Sequence, residues 1–144
     1  GMLVEAGKLK WSDKVQDYLP DFNMSDPEQA HRLEVRHLIT QTTGLPYHSF
    51  SNYIEKGFDR NYVMQQYPLA KLAGKEGEYF SYQNAAFSLI EPILEQAGGK
   101  PYNELLVEKI FRPLGMTDAS LDFDSIVNSP NHALPHRFED QHGG

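Results

Sequence analysis

Two tyrosines, a serine and an asparagine crowd into "YFSYQN", residues 79–84, directly ahead of "AAFSLIEPILEQAGG", the most helix-like stretch of the chain. A tyrosine at a helix N-terminus is either a packing residue or a proton-transfer group held by the helix. Taken without their surroundings, Tyr82 and Asn84 are most simply a packed aromatic and a helix N-cap. A second cluster is histidine: His132 and His136 stand four residues apart and His142 follows, a spacing that suggests a metal. Pro135 prevents a regular helix there, and no carboxylate-plus-histidine template surrounds them, so no metal or other cofactor is expected. With no cysteine there is no thiol nucleophile, disulfide framework or cysteine zinc site, and the compartment stays open.

The elements that must position these residues are helical. "MLVEAGKL" reads as the tail of a helix, with Gly7 in the position of a left-handed terminator. "WSDKVQDYL" follows, capped by Ser12 or Asp13, with Val15, Tyr18 and Leu19 at helical spacing and Pro20 as a stop. Residues 21–34 read as a polar loop. "EVRHLITQTTGL" predicts a helix with Val35, Leu38 and Ile39 on one face, ended by Gly44 and Pro46.

Residues 47–78 are aromatic-rich and interrupted by Gly57, Pro68, Gly74 and Gly77, which leaves one short helix around "RNYVMQQY". The helix after Asn84 carries Phe87, Ile90, Ile93 and Leu94 on one side, a kink at Pro92, and Gly98 and Gly99 at its end. "KPYNELLVEKIFRPLGM" is the last, with Leu105, Leu106, Ile110 and Phe111 as its apolar positions. From Thr117 onward no period is visible, and strand patterns are nearly absent throughout. The expectation is a mainly α chain, with a helical domain over residues 1–120 and an irregular tail over 121–144.

Composition excludes several function classes. At 40% hydrophobic and 23% charged residues the chain is an ordinary globular one, and 144 residues suffice for one modest core. A net charge of −7, with no basic run, excludes a phosphate-neutralising nucleic-acid face. No apolar run approaches a membrane-spanning length.

In this order, "LVEAGKL", "VRHLITQTTGLP", "GEYFSYQN" and the long segment ending in "RPLGMTDAS" resemble the penicillin-recognising serine hydrolases, roughly from Leu3 to Ser120. The branch they look most like holds class C β-lactamases, DD-peptidases and related esterases. The resemblance implies an α/β sheet domain and a helical domain with the active site in the cleft between them. Only the helical part of that β-lactamase/transpeptidase-like fold is recognisable here.

Of the family's three motifs, Ser-x-x-Lys is missing after each of the nine serines, and no Lys-Thr-Gly occurs. His142-Gly143-Gly144 fits His-x-Gly only formally. Tyr82-Gln83-Asn84 matches Tyr-x-Asn. By resemblance Tyr82 is the general base, and Asn84 hydrogen-bonds the substrate amide or the nucleophile's lysine. The free phenol titrates near 10, so a tyrosine serves at neutral pH only beside cations, which in the family come from the two missing motifs.

Gln83 replaces the commoner serine at the variable position, Glu76 a usual proline, and Pro92 interrupts a usually unbroken helix. The resemblance also places the nucleophile roughly a dozen residues upstream of Leu3 and the sheet motif beyond Gly144. The complete protein is then expected to process a β-lactam, a D-alanyl peptide or an ester in a periplasmic, secreted or membrane-associated setting. This chain alone is expected to be inactive, and to self-associate through a bare sheet-facing surface for which Val4, Leu9 and Trp11 are the candidates. An inert helical binding domain, or a truncated product starting at Met2, stays open as an alternative.

Overall fold

A computed structural model describes residues 1–134, and those residues contain helices and no strand. The first compact unit runs Gly1–Tyr102, and a second begins at Asn103. The first unit is built from α1 (Met2–Glu5), α2 (Val15–Tyr18), α3 (Pro27–Arg32), α4 (Val35–Ile39), α5 (Ser51–Glu55), α6 (Arg60–Met64), a 3₁₀ turn (Tyr67–Leu69), α7 (Asn84–Phe87) and α8 (Ile90–Gly98). After these come α9 (Tyr102–Leu106), a π-helical turn (Val107–Phe111) and α10 (Phe123–Val127).

Helices this short have no stability of their own, so burial must hold them. α8 packs against α1, α2 and α4, while α7 packs against α4 and α5. Between them Val15, Phe22, Leu33, Val35, Leu38, Leu45, Val63, Tyr67, Leu89 and Ile93 are almost wholly removed from solvent. Each large apolar side chain so buried contributes about 1.5–3 kcal/mol. The Tyr67 hydroxyl lies in this core without a hydrogen-bond partner among the described residues, and burial pushes its titration up.

Several elements differ from their sequence expectation for local reasons. The 21–34 segment contains α3, because Asp26 accepts the Glu28 N–H at 3.0 Å and Pro27 supplies a pre-set first turn. α2 is capped at Lys14 rather than Ser12 or Asp13, since Asp13 instead accepts the Lys10 N–H and the Tyr18 hydroxyl. Burial, reinforced by that contact, pushes the Tyr18 phenol up to about 12. The 47–78 region holds α5 as well as α6. α10 stands in the stretch read as irregular, capped by Asp122, whose carboxylate accepts the Ser125 N–H at 2.8 Å.

The expected long helix after Asn84 is two helices. The chain breaks at Ser88–Leu89 and restarts so that Pro92 falls in the first turn of α8, where its missing N–H costs no helical bond. Phe87, expected on the apolar face, is 42% exposed as a result, and Ile39, at the last turn of α4, is 38% exposed. Leu9 is in the core and Val4 is half-buried against it, so of the expected bare patch only Trp11 remains at the surface.

Candidate active site

Residues 81–84 alternate in burial: Ser81 and Gln83 point inward, Tyr82 and Asn84 outward. An alternation of period two puts positions i and i+2 on the same side, so Tyr82 and Asn84 share the exposed face. Asn84 is the first residue of α7, and the N-cap is Gln83, which makes no side-chain capping bond. Among the described residues the Asn84 side chain has no hydrogen-bond partner, so it is not the N-cap considered from sequence.

The segment is fixed by the loop after α4. Thr42 and Gly44 give their carbonyls to the N–H groups of Gly77 and Ala73, at 2.8 and 2.9 Å. Further along, Gln41 accepts the Ser81 N–H at 2.9 Å through its main-chain carbonyl and the Gln83 N–H at 2.7 Å through Oε1. His48 then donates its N–H to the Tyr82 carbonyl at 2.9 Å. The inward Gln83 side chain donates from Nε2 to the Leu45 carbonyl at 3.2 Å and to Ser81 Oγ at 3.3 Å.

Gly44 lets the two loops approach this closely. It has φ of 88°, and a Cβ there would overlap the Gln29 amide nitrogen and the Gly74 carbonyl. Gln29, itself buried, bridges the same two loops by donating to the Thr43 and Gly74 carbonyls at 3.1 and 3.0 Å. Glu76, in the turn before the motif, is anchored to Arg32 at 2.6 Å, and that bond holds its carboxyl below the usual range. His37 stands beside Gly77 with its Nδ1 accepting the Glu34 N–H at 3.1 Å, and burial lowers its proton affinity.

On the outer side the His48 ring lies edge-on to two tyrosines, 4.2 Å from Tyr47 and 5.2 Å from Tyr82 between centroids. Tyr47 and Tyr82 are 69% and 41% exposed, so this face offers a row of rings and a free phenol to an incoming molecule. Sequence reasoning placed Gln41 within the helical stretch that ends at Gly44 and Pro46, and Gln83 at the variable position of the motif. The signal that distinguishes them is a buried amide, which a one-dimensional pattern does not carry.

No three histidine, cysteine, aspartate or glutamate side chains converge among the described residues, and His136 and the His142-Gly143-Gly144 stretch lie outside them. No helix among the described residues is long and apolar enough to cross a membrane.

A β-lactamase family model matches residues 1–141. The chain belongs to the β-lactamase family. It is similar to the D-alanyl-D-alanine-carboxypeptidase/endopeptidase AmpH of Escherichia coli K12, with 30% identity over 122 residues covering 82% of this chain and 32% of AmpH. The structure of a β-lactamase/D-alanine carboxypeptidase from Yersinia pestis superposes with a TM-score of 0.66 at 27% identity, over 88% of this chain and 38% of that one. The octameric penicillin-binding protein homologue from Pyrococcus abyssi shares the fold, with a TM-score of 0.73 at 23% identity over 91% of this chain and 31% of that one. The chain thus spans about a third of the length of AmpH. Its helices correspond to a helical portion of the β-lactamase/transpeptidase-like fold.

Proposed function

We propose that this β-lactamase-family chain is the helical part of a serine hydrolase working through an acyl-enzyme, with Tyr82 as its proton-transfer group and Asn84 as its amide contact. The observation that carries the reading is the joint exposure of Tyr82 and Asn84 on one side of a segment whose other side is buried and hydrogen-bonded. As a nucleophilic serine oxygen bonds to the acyl carbon, its proton passes to Tyr82 Oη, which accepts it as a phenolate stabilised by cations that the rest of the protein must bring. The same proton goes on to the leaving nitrogen or oxygen as the acyl bond to it breaks. Water then repeats the sequence and frees the acid. Asn84, whose side-chain amide is unengaged among the described residues, suits an amide in a substrate such as a D-alanyl peptide or a β-lactam, and an ester is accommodated through the N–H alone.

The serine and lysine this chemistry needs are absent as a Ser-x-x-Lys pair in these 144 residues, so the chain alone is expected to be inactive. In the full-length protein Tyr82→Phe is expected to keep the fold and lower kcat about 10²–10⁴-fold, because the ring stays and only the proton-carrying oxygen goes. Undiminished kcat in that variant would reduce Tyr82 to a packing residue. A fluorescent penicillin should label the full-length protein and leave the 144-residue chain unlabelled; acylation of any serine in the short chain would contradict its assigned role. The exposed apolar surface around Trp11 supports a further proposal, that the isolated chain self-associates.

A further inference from the structure

Both N–H groups flanking Tyr82 are taken by one residue. In a regular pair of strands two such donors would meet two carbonyls of a neighbouring strand; here Gln41 supplies one from its backbone, at 2.9 Å, and the other from its side chain, at 2.7 Å. Gln41 has a left-handed φ of 60° as the residue after the C-cap of α4, where the N–H groups of Thr42 and Gln41 turn back to the His37 and Leu38 carbonyls at 2.9 and 3.3 Å, and this turn aims both of its oxygens at the motif. His48, with φ of 54°, closes the opposite side by donating to the Tyr82 carbonyl.

Gln83 then plugs the segment into the core at 0% exposure. Its Nε2 is satisfied by Leu45 and Ser81, while its Oε1 has no partner among the described residues. An apolar side chain would fill that space without leaving an amide oxygen unpaired, so the amide is kept for what its nitrogen holds. With both neighbours fixed, the Tyr82 backbone cannot rotate to move its ring.

We propose that Gln41 and Gln83 are positioning residues that fix the Tyr82 phenol and the start of α7 for proton transfer. The proposal rests on the reading of Tyr82 given above. The backbone of 81–83 is held by the Gln41 main-chain carbonyl, by Gln41 Oε1 and by the His48 N–H, and removing Oε1 releases the Gln83 N–H at the start of α7 while leaving the helices intact.

In the full-length protein Gln41→Gly removes the Oε1 acceptor and suits the left-handed φ, so folding is retained. Gln41→Glu keeps an oxygen acceptor at the same reach. The glycine variant is expected to lose about 10–100-fold in kcat, the size of effect that a misplacement of about 1 Å produces. Its KM should move by less than about threefold, and the glutamate variant should stay within about threefold of the parent in both constants. Position is read separately from activity by 3-fluorotyrosine at residue 82, whose fluorine resonance should shift or broaden in Gln41→Gly and stay in place in Gln41→Glu.

A Tyr82 resonance unchanged in Gln41→Gly overturns the proposal, as does an unchanged kcat in that variant while Tyr82→Phe is inactive. A shifted resonance alongside a fully active Tyr82→Phe supports the clamp and removes the catalytic reading instead.

Discussion

At the scale of single residues, Tyr82 and Asn84 are presented because their neighbours are not. The sequence displays the motif and its helix, but nothing in a string of letters distinguishes a glutamine that plugs a core from one that fills a variable slot. Gln83 is legible only once Leu45 and Ser81 are known to surround it. Gly44 is the other position where a small change has a large expected effect. Gly44→Ala must carry φ of 88° and overlap both the Gln29 amide and the Gly74 carbonyl, so a loss of about 2–4 kcal/mol is expected by chemical denaturation. A loss well under 1 kcal/mol would mean that the two loops part readily, and the clamp on Tyr82 with them.

Among the elements, the helices with strong stop signals were the readable ones. Gly7 and Gly99 take left-handed φ values of 67° and 71° where their helices were expected to end, and Val35 and Leu38 bury as their spacing implies. The missed elements are single turns such as α3 and α10, too short to show a period and visible only through an Asp cap. Ile39 and Phe87 were misplaced because each lies on the last residue of a four- or five-residue helix, where a continued period no longer applies.

Pro92 tests this account of α8. A proline in the middle of a helix costs about 3 kcal/mol, whereas one whose N–H would be unpaired in any case costs little. Pro92→Ala is therefore expected to change stability by less than about 1 kcal/mol, with α7 and α8 still distinct by amide exchange. A gain near 3 kcal/mol would show that the proline, and not the packing of Leu89 and Ile93, imposes the break.

For the whole molecule, three titrating groups beside the site tilt stability in the same direction. Burial holds His37 below its ordinary value of 6.5, so the unfolded chain takes up that proton first and stability falls as pH drops below about 6.5. Glu34 is held low chiefly by its hydrogen bond from Lys14, and Glu76 by its bond from Arg32; both contributions are present above the ordinary value of 4.5 and are lost as acid protonates the carboxylates. Melting temperatures should decline in two stages on acidification, and His37→Gln should remove the first. The self-association proposed for the isolated chain would use a different surface. Trp11 and Ile39, 41% and 38% exposed, line an apolar depression of about 370 Å³ with Arg36 and Thr40. Apolar surface of this kind is commonly covered by another surface, and in the isolated chain a second copy is the available one; the net charge of −7 opposes contact and is screened by salt. Because Trp11 is the only tryptophan, its fluorescence reports this contact directly. The emission should shift to the blue as concentration and salt rise, in step with a faster-sedimenting species, and Ile39→Glu should suppress both. A chain that sediments as a monomer at high concentration and salt, with an unshifted tryptophan, would leave the depression without the role assigned to it.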